Sequence, residues 1–117
     1  MPRLMSVGLT EQAVVERRKT VTRRLGWLHL KPGDRLTLVR KSMGRKPGEP
    51  LVRLAEVEVV SVRREPLWIM EQDDVAREGV PFLAREITAA EWVRWYSERM
   101  GIERSDLVTR IEWRYLS

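Results

Sequence analysis

Hydrophobic and polar positions change period several times along the chain, and each change marks an element. Met5-Ser6-Val7-Gly8-Leu9 is a short apolar stretch that predicts a strand. Thr10 follows as a helix N-cap with Glu11 in the first turn, and Ala13, Val14 and Val15 fall at helix-compatible positions in a helix ending near Arg18. Lys19 to Arg24 alternates β-favouring Thr, Val and Thr. Thr20, Thr22 and Arg24 therefore share one face of a strand, while Val21 and Arg23 take the other. Lys31-Pro32-Gly33-Asp34 is a turn signal, with Pro presetting φ and Gly free to take positive φ, and it leads into a strand over 35–40. Residues 41–50 (KSMGRKPGEP) read as a basic loop. Leu51 to Arg63 alternates with a phase slip near Ala55, as a long strand with a bulge does.

The second half adds helices and a closing strand. Pro66 to Met70 is an apolar turn that plugs the core, and Asp73 or Asp74 caps a short helix through Val75, Ala76 and Arg77. That helix ends at Glu78-Gly79, with Pro81 forbidding continuation. Thr88-Ala89-Ala90-Glu91 is a capping box, followed by the apolar stripe Trp92, Val93, Trp95, Tyr96 and Met100 and a stop at Gly101. Leu107 to Tyr115 alternates as a strand with one buried face. The order predicts an α+β fold: a small twisted or closed β-barrel with flanking helices, its long central strands joined by loops too short for parallel crossovers.

With 117 residues and 43% apolar content, the chain buries one core, so a single domain over 1–117 is expected. The 22 Lys and Arg against 17 Asp and Glu give a net charge of +5, in the range of an electrostatic footprint for nucleic acid. The absence of Cys excludes disulfides, thiolate metal sites and a Cys nucleophile. His29, the sole histidine, lies between Leu28 and Leu30 without carboxylates to complete a metal site, so neither metal nor cofactor is expected. No apolar run approaches the roughly 20 residues of a membrane span, and the N-terminus lacks a signal-peptide pattern. A cytoplasmic monomer is the expectation.

The candidate chemistry concentrates between residues 17 and 27. Arg17, Arg18, Lys19, Arg23 and Arg24 with Thr20 and Thr22 form an anion-facing run that ends at Trp27. In a binding reading, Arg17, Arg18, Arg23, Arg24 and the loop cations Lys41, Arg45 and Lys46 grip phosphates, while Trp27 or Trp68 stacks a base. The plainer alternative makes the run a solvated basic turn and leaves Trp68, Trp92, Trp95 and Trp113 as packing residues. Asp73, Asp74, Glu86 and Glu91 read as helix caps and solvated faces.

These residues resemble the ASCH domains of the PUA-like β-barrel superfamily, marked by Gly-x-Lys-x-x-Glu-x-Arg at the junction of the first helix and the next strand, then a Pro-Gly-Asp turn. Lys19 and Arg24 fall on the Lys and Arg of that motif, and Lys31 to Leu36 match the turn and strand. Arg17 stands where the family has Gly, and Thr22 where many members have Glu. The Lys-Thr-x-Thr-x-Arg version is similar to that of small bacterial amidohydrolases that deacetylate N4-acetylcytidine. The whole chain also resembles small ASCH proteins of actinobacterial phages. The resemblance implies an RNA- or nucleoside-binding protein with Lys19, Thr22 and Glu78 as its catalytic set. In such a set Thr22 attacks, Lys19 takes its proton if burial and Arg23 or Arg24 lower its pKa, and Glu78 orients or shuttles. Three other readings stay open: an Lys19–Glu78 ion pair beside an ordinary strand hydroxyl, a non-catalytic RNA-binding or RNA-processing module, and a partner docking on the helix of Trp92 and Trp95.

Overall fold

A computed structural model describes residues 3–80 and 86–116. Strand β1 (Arg3–Ser6) leads through a 3-10 turn at Gly8–Thr10 into α1 (Glu11–Val15) and then β2 (Val21–Arg24). Strands β3 (Arg35–Val39) and β4 (Arg53–Pro66) follow, then a 3-10 turn at Leu67–Ile69, α2 (Asp73–Glu78), α3 (Ala89–Met100) and β5 (Leu107–Tyr115). The five strands form one mixed sheet in the order β1-β3-β4-β5-β2.

The sheet curls into a half-barrel, giving the expected α+β architecture without closing the ring. Edge strands β1 and β2 face each other across a seam bridged by a side chain: Arg24 donates from Nη2 to the carbonyl of Ser6 at 2.7 Å. The pairing β1–β3 is parallel, unlike the other three. The sequence reading missed it, because the chain from Val7 to Asp34 holds α1 and β2 and so supplies a crossover that no single short loop could. Strand β4 carries the bulge expected beside Ala55, where Leu38 pairs Ala55 and Val39 pairs Arg53, and a second one near Val60. The turn at residues 31–34 closes as its residues dictate, with Gly33 at φ +93° and Asp34 Oδ2 accepting from the Lys31 amide at 2.9 Å.

Two apolar clusters hold these layers. Met5, Leu36, Leu38, Val57, Val59, Ile111 and Trp113 fill the inner face with Val14 of α1. Leu67, Met70, Trp92, Val93, Tyr96 and Val108 pack α3 on the outer side. The capping box forms as read, with Thr88 accepting from the Glu91 amide, and Gly101 ends α3 in the left-handed conformation. Several expectations are corrected. Helix α1 stops at Val15, and Thr10 makes no side-chain cap there; its hydroxyl donates to the Val7 carbonyl at 3.4 Å instead. Trp68 is exposed, since its 3-10 turn turns Leu67 inward instead. Asp74 is buried rather than a solvated cap. Pro81 lies outside the described residues. Among the described residues, no helix is long and apolar enough to cross a membrane.

Gly79 fixes how α2 meets this scaffold. It caps α2 at φ +70°, and a Cβ there would lie 2.6 Å from Ala13 Cβ and 3.0 Å from Lys19 Cβ. Overpacking and left-handed strain then act together, so Gly79→Ala is expected to cost about 3 kcal/mol, measured by urea unfolding. An unchanged unfolding midpoint would mean that α2 does not press on the junction before β2.

Candidate functional site

The junction between α1 and β2 is built by backbone geometry that sequence alone does not display. Arg17 takes φ +64°, the conformation glycine favours, and it occupies the position where the resembled motif has Gly. For a residue with a Cβ this costs about 1 kcal/mol or more. Local contacts offset it: the Arg17 amide and its Nη1 both donate to the Val14 carbonyl, at 3.0 and 2.9 Å, and the guanidinium lies 4.9 Å from the centre of the Tyr115 ring. The chain then turns so that the carbonyl of Lys19 accepts from Trp113 Nε1 at 3.0 Å and from the Tyr115 hydroxyl. Both donors come from β5. Lys19 is thereby fixed, its side chain only 2% exposed.

Its ammonium nitrogen ends on α2. Lys19 Nζ donates to the Glu78 carbonyl at 2.6 Å and lies 3.3 Å from Glu78 Oε1. Glu78 Oε2 accepts from Arg23 Nη1 at 2.9 Å, and Arg23 Nη2 reaches Asp74 Oδ2 at 2.7 Å. Arg110 on β5 grips the same Asp74 through Nε and Nη2, at 2.8 and 3.1 Å. On the other face of β2, Thr22 Oγ1 accepts from Arg24 Nε at 3.2 Å. Because β2 is an edge strand, residues of both its faces reach the seam.

There they meet a cavity of about 200 Å³ lined by Lys19, Thr22, Arg23, Arg24 and Glu78 on one side, and by Trp92, Trp95, Tyr96 and Arg99 of α3 on the other. Trp92 stacks on Tyr96 at 4.9 Å and 12°, and the Tyr96 hydroxyl donates to the Arg23 carbonyl at 2.9 Å. Among the described residues, two buried side-chain donors lack a hydrogen-bond partner, Arg23 Nε and Trp92 Nε1. Both residues belong to this wall. A buried donor left unpaired costs about 1–3 kcal/mol.

Burial and charge tune the cavity wall. Desolvation pushes Lys19 down from 10.5 to about 8, with Glu78 opposing and Arg24 and Arg23 adding to the fall. Burial acts to raise the Asp74 carboxyl, but hydrogen bonds from Arg110 and Arg23 outweigh it and hold the group well below the usual carboxylate range. Burial, then the charge of Glu78, pushes Tyr96 up to about 12.

Other residues of the basic run do not reach the cavity wall. Arg18 is exposed and paired with Glu16 at 2.6 Å, and Arg17 lies over Tyr115. Trp27 is half-buried on the barrel core beneath the Arg3 guanidinium, 5.1 Å away. Lys41, Arg45 and Lys46 are exposed on the loop after β3, with Lys41 3.7 Å from Glu49. The base of that loop is tied to the rim, since Ser42 bonds the Ser6 hydroxyl at 2.8 Å and Ser6 lines the cavity. Sequence reasoning missed Trp92, Trp95, Tyr96 and Arg99 as cavity residues. Their spacing along α3 puts them on one stripe, which the same spacing also gives to core packing. It missed Asp74 and Arg110 too, for which no local signal exists. Among the described residues, no group of three or more His, Asp and Glu side chains could hold a metal ion.

No family model and no curated protein matches the sequence. Solved structures do resemble it. A crystal structure of an ASCH domain from Lactobacillus crispatus JV V101 superposes with a TM-score of 0.59 at 16% identity, over 91% of this chain and 69% of that one. The chain has the fold of an ASCH domain. Protein EF3133 of Enterococcus faecalis V583, described as DUF984, superposes at TM-score 0.66 and 16% identity, over 99% of this chain and 80% of its own. Hypothetical protein PH0355 does so at 0.64 and 19%, over 99% and 100%.

The depressed Lys19 has a thermodynamic signature. Between the folded value of about 8 and the ordinary 10.5, the unfolded chain binds more protons at this residue than the folded one. Stability therefore rises with pH across that window. Above pH 10 the raised Tyr96 acts in the opposite sense, because the folded phenol keeps a proton the unfolded one loses. Urea unfolding of the wild type is expected to show a rise from pH 8 to 10 that Lys19→Met lacks. The same slope in both proteins would mean that Lys19 does not titrate in this range.

Proposed function

We propose that the chain binds RNA or a modified nucleoside at the seam and hydrolyses the exocyclic amide of an N4-acylated cytidine. The observation that carries this reading is one small cavity that collects Lys19, Thr22, Arg24 and Glu78 opposite the rings of Trp92, Trp95 and Tyr96. Its volume lies below the roughly 300–1,000 Å³ of sites for drug-sized ligands and suits a single base with a small substituent. Aromatic walls favour a flat ring whatever its identity, and donors in the wall fix its orientation.

The chemistry follows from the pairings. Thr22 Oγ1 accepts a hydrogen bond from Arg24, so its own proton is left to donate and its developing negative charge meets a guanidinium. Lys19, neutral in a growing fraction as pH passes about 8, takes that proton as the hydroxyl oxygen attacks the acyl carbon. The proton then passes from Lys19 to the exocyclic nitrogen as the C–N bond breaks, releasing cytidine and leaving an ester on Thr22. Water, deprotonated by Lys19, attacks that ester; the C–O bond to Thr22 then breaks, Lys19 returns the proton to Thr22 Oγ1, and the carboxylic acid leaves. Glu78 holds Nζ in place throughout through its carbonyl and carboxylate.

A second reading, an RNA-binding module without turnover, draws support from the exposed cations Arg18, Arg45 and Lys46 and from the basic loop tied to the cavity rim at Ser6. Incubation with N4-acetylcytidine, followed by chromatography for cytidine, separates the two. Wild type is expected to release cytidine faster as pH rises through 8, and Lys19→Met and Thr22→Val to lose at least about 100-fold in rate while keeping the wild-type circular dichroism. No release by folded wild type would end the amidohydrolase reading. A labelled single-stranded RNA that then binds less tightly with added salt, and more weakly to Arg18→Gln and Lys46→Gln, would put the module in its place.

A further inference from the structure

Behind the cavity wall runs a chain of buried charges that leaves the cavity altogether. Lys19 meets Glu78 Oε1, Glu78 Oε2 meets Arg23 Nη1, Arg23 Nη2 meets Asp74, and Asp74 meets Arg110. All five residues are buried, so water and salt screen them little. Asp74 does not line the cavity. It faces a separate cleft on the outer side of the sheet with Arg63, Arg64, Arg77 and Arg110.

The important point is how Arg23 divides its donors. One terminal nitrogen goes to each of two carboxylates, while its Nε makes no hydrogen bond and Trp92 lies 5.9 Å from the guanidinium carbon. Its orientation therefore rests on Asp74 and Glu78 together. Without the Asp74 charge, the carboxylate left near Nη2 among the described residues is Glu65, at 3.6 Å, beyond hydrogen-bond reach. The planar fork then favours closing on both oxygens of Glu78, the geometry in which arginine binds a carboxylate best. Oε1 would thereby be taken from Lys19.

We propose that Asp74, from outside the cavity, is a positioning residue that sets the charge of Lys19 through Arg23 and Glu78. The other groups facing Lys19 are Arg24 from β2 and, from β5, the Trp113 ring 6.0 Å from Nζ and the Tyr115 hydroxyl on the Lys19 carbonyl. Tyr96 of α3, which lines the same cavity, bonds the Arg23 carbonyl. None of these bonds Asp74. The consequence for turnover rests on the function proposed above, whereas the coupling itself does not.

The test is a pH titration of the full chain carrying ¹³C-labelled lysine and aspartate, followed by NMR without substrate. Asp74→Asn removes a negative charge and leaves Arg23 Nη2 at most a neutral amide oxygen, so the Lys19 midpoint is expected to fall by on the order of one unit. Arg23→Gln removes a positive charge next to Glu78, and the midpoint is expected to rise by a similar amount. In the unmodified protein, where folding is not at stake, the Asp74 carboxylate carbon is expected to show a step at the Lys19 midpoint. A midpoint unmoved in both variants, or moved in the same direction in both, overturns the proposal, as does an Asp74 signal flat through the Lys19 titration. Coupled midpoints in a protein that releases no cytidine would reject the reaction and keep the relay.

Discussion

Two arginines face each other in the interior of this fold, and the rest of the site depends on how that repulsion is resolved. Arg23 on β2 and Arg110 on β5 are direct antiparallel partners, so their side chains leave the same face of the sheet side by side. Both are buried. Like charges opposite one another destabilise a strand pair even at the surface, and here water cannot screen them. Asp74 lies between the two guanidiniums and bonds both. This requirement explains why α2, only six residues long, is seated on the outer face of β2: its first turn supplies the charge that the sheet needs. Breaking such a buried arrangement by removing one member typically costs about 3–5 kcal/mol, although an apolar replacement of the whole set can be neutral or better. The network therefore specifies where α2 sits more than it adds to stability.

Seating α2 by its first turn decides what its last turn does. Asp74 and Glu78 are four residues apart, one helical turn, so the same face that neutralises the arginines delivers Glu78 to Arg23 and Lys19. The carbonyl of Glu78, left free at the helix end, accepts from Lys19, and Gly79 turns the chain away where any side chain would strike Ala13. Helix end, carboxylate and lysine are thus one assembly.

Edge position accounts for the remainder. A central strand would send Thr22 and Arg24 into the barrel and Arg23 to the opposite side, with a neighbouring strand between them. Because β2 ends the sheet and faces β1 across an unpaired seam, all three approach one cavity. Helix α3 closes it with stacked aromatic rings whose other side is core. The half-barrel's failure to close is what leaves the cavity open, and Arg24 reaching to the Ser6 carbonyl ties the two edges without filling the gap.

Local signals determined most of the element list. The capping box and Gly101 bounded α3, the alternation from Leu107 to Tyr115 marked β5 residue for residue, and the phase slip at Ala55 located a bulge. The resemblance around Lys19 and Thr22 named residues that the structure brings to one cavity, and Glu78, which it implied as a third member, lines the same cavity. What tertiary structure alone decided concerns pairs far apart along the chain. The open seam, the parallel β1–β3 pair, the approach of Glu78 to a lysine 59 positions earlier, and the burial of Asp74 beneath two arginines leave no periodic trace. Nor does sequence distinguish Arg23 from Arg18: both are arginines in one basic run, yet one is enclosed by carboxylates and the other lies in solvent. A side chain's charge is written in the sequence, but its dielectric surroundings and its partners exist only once the sheet has curled and the helices have covered it.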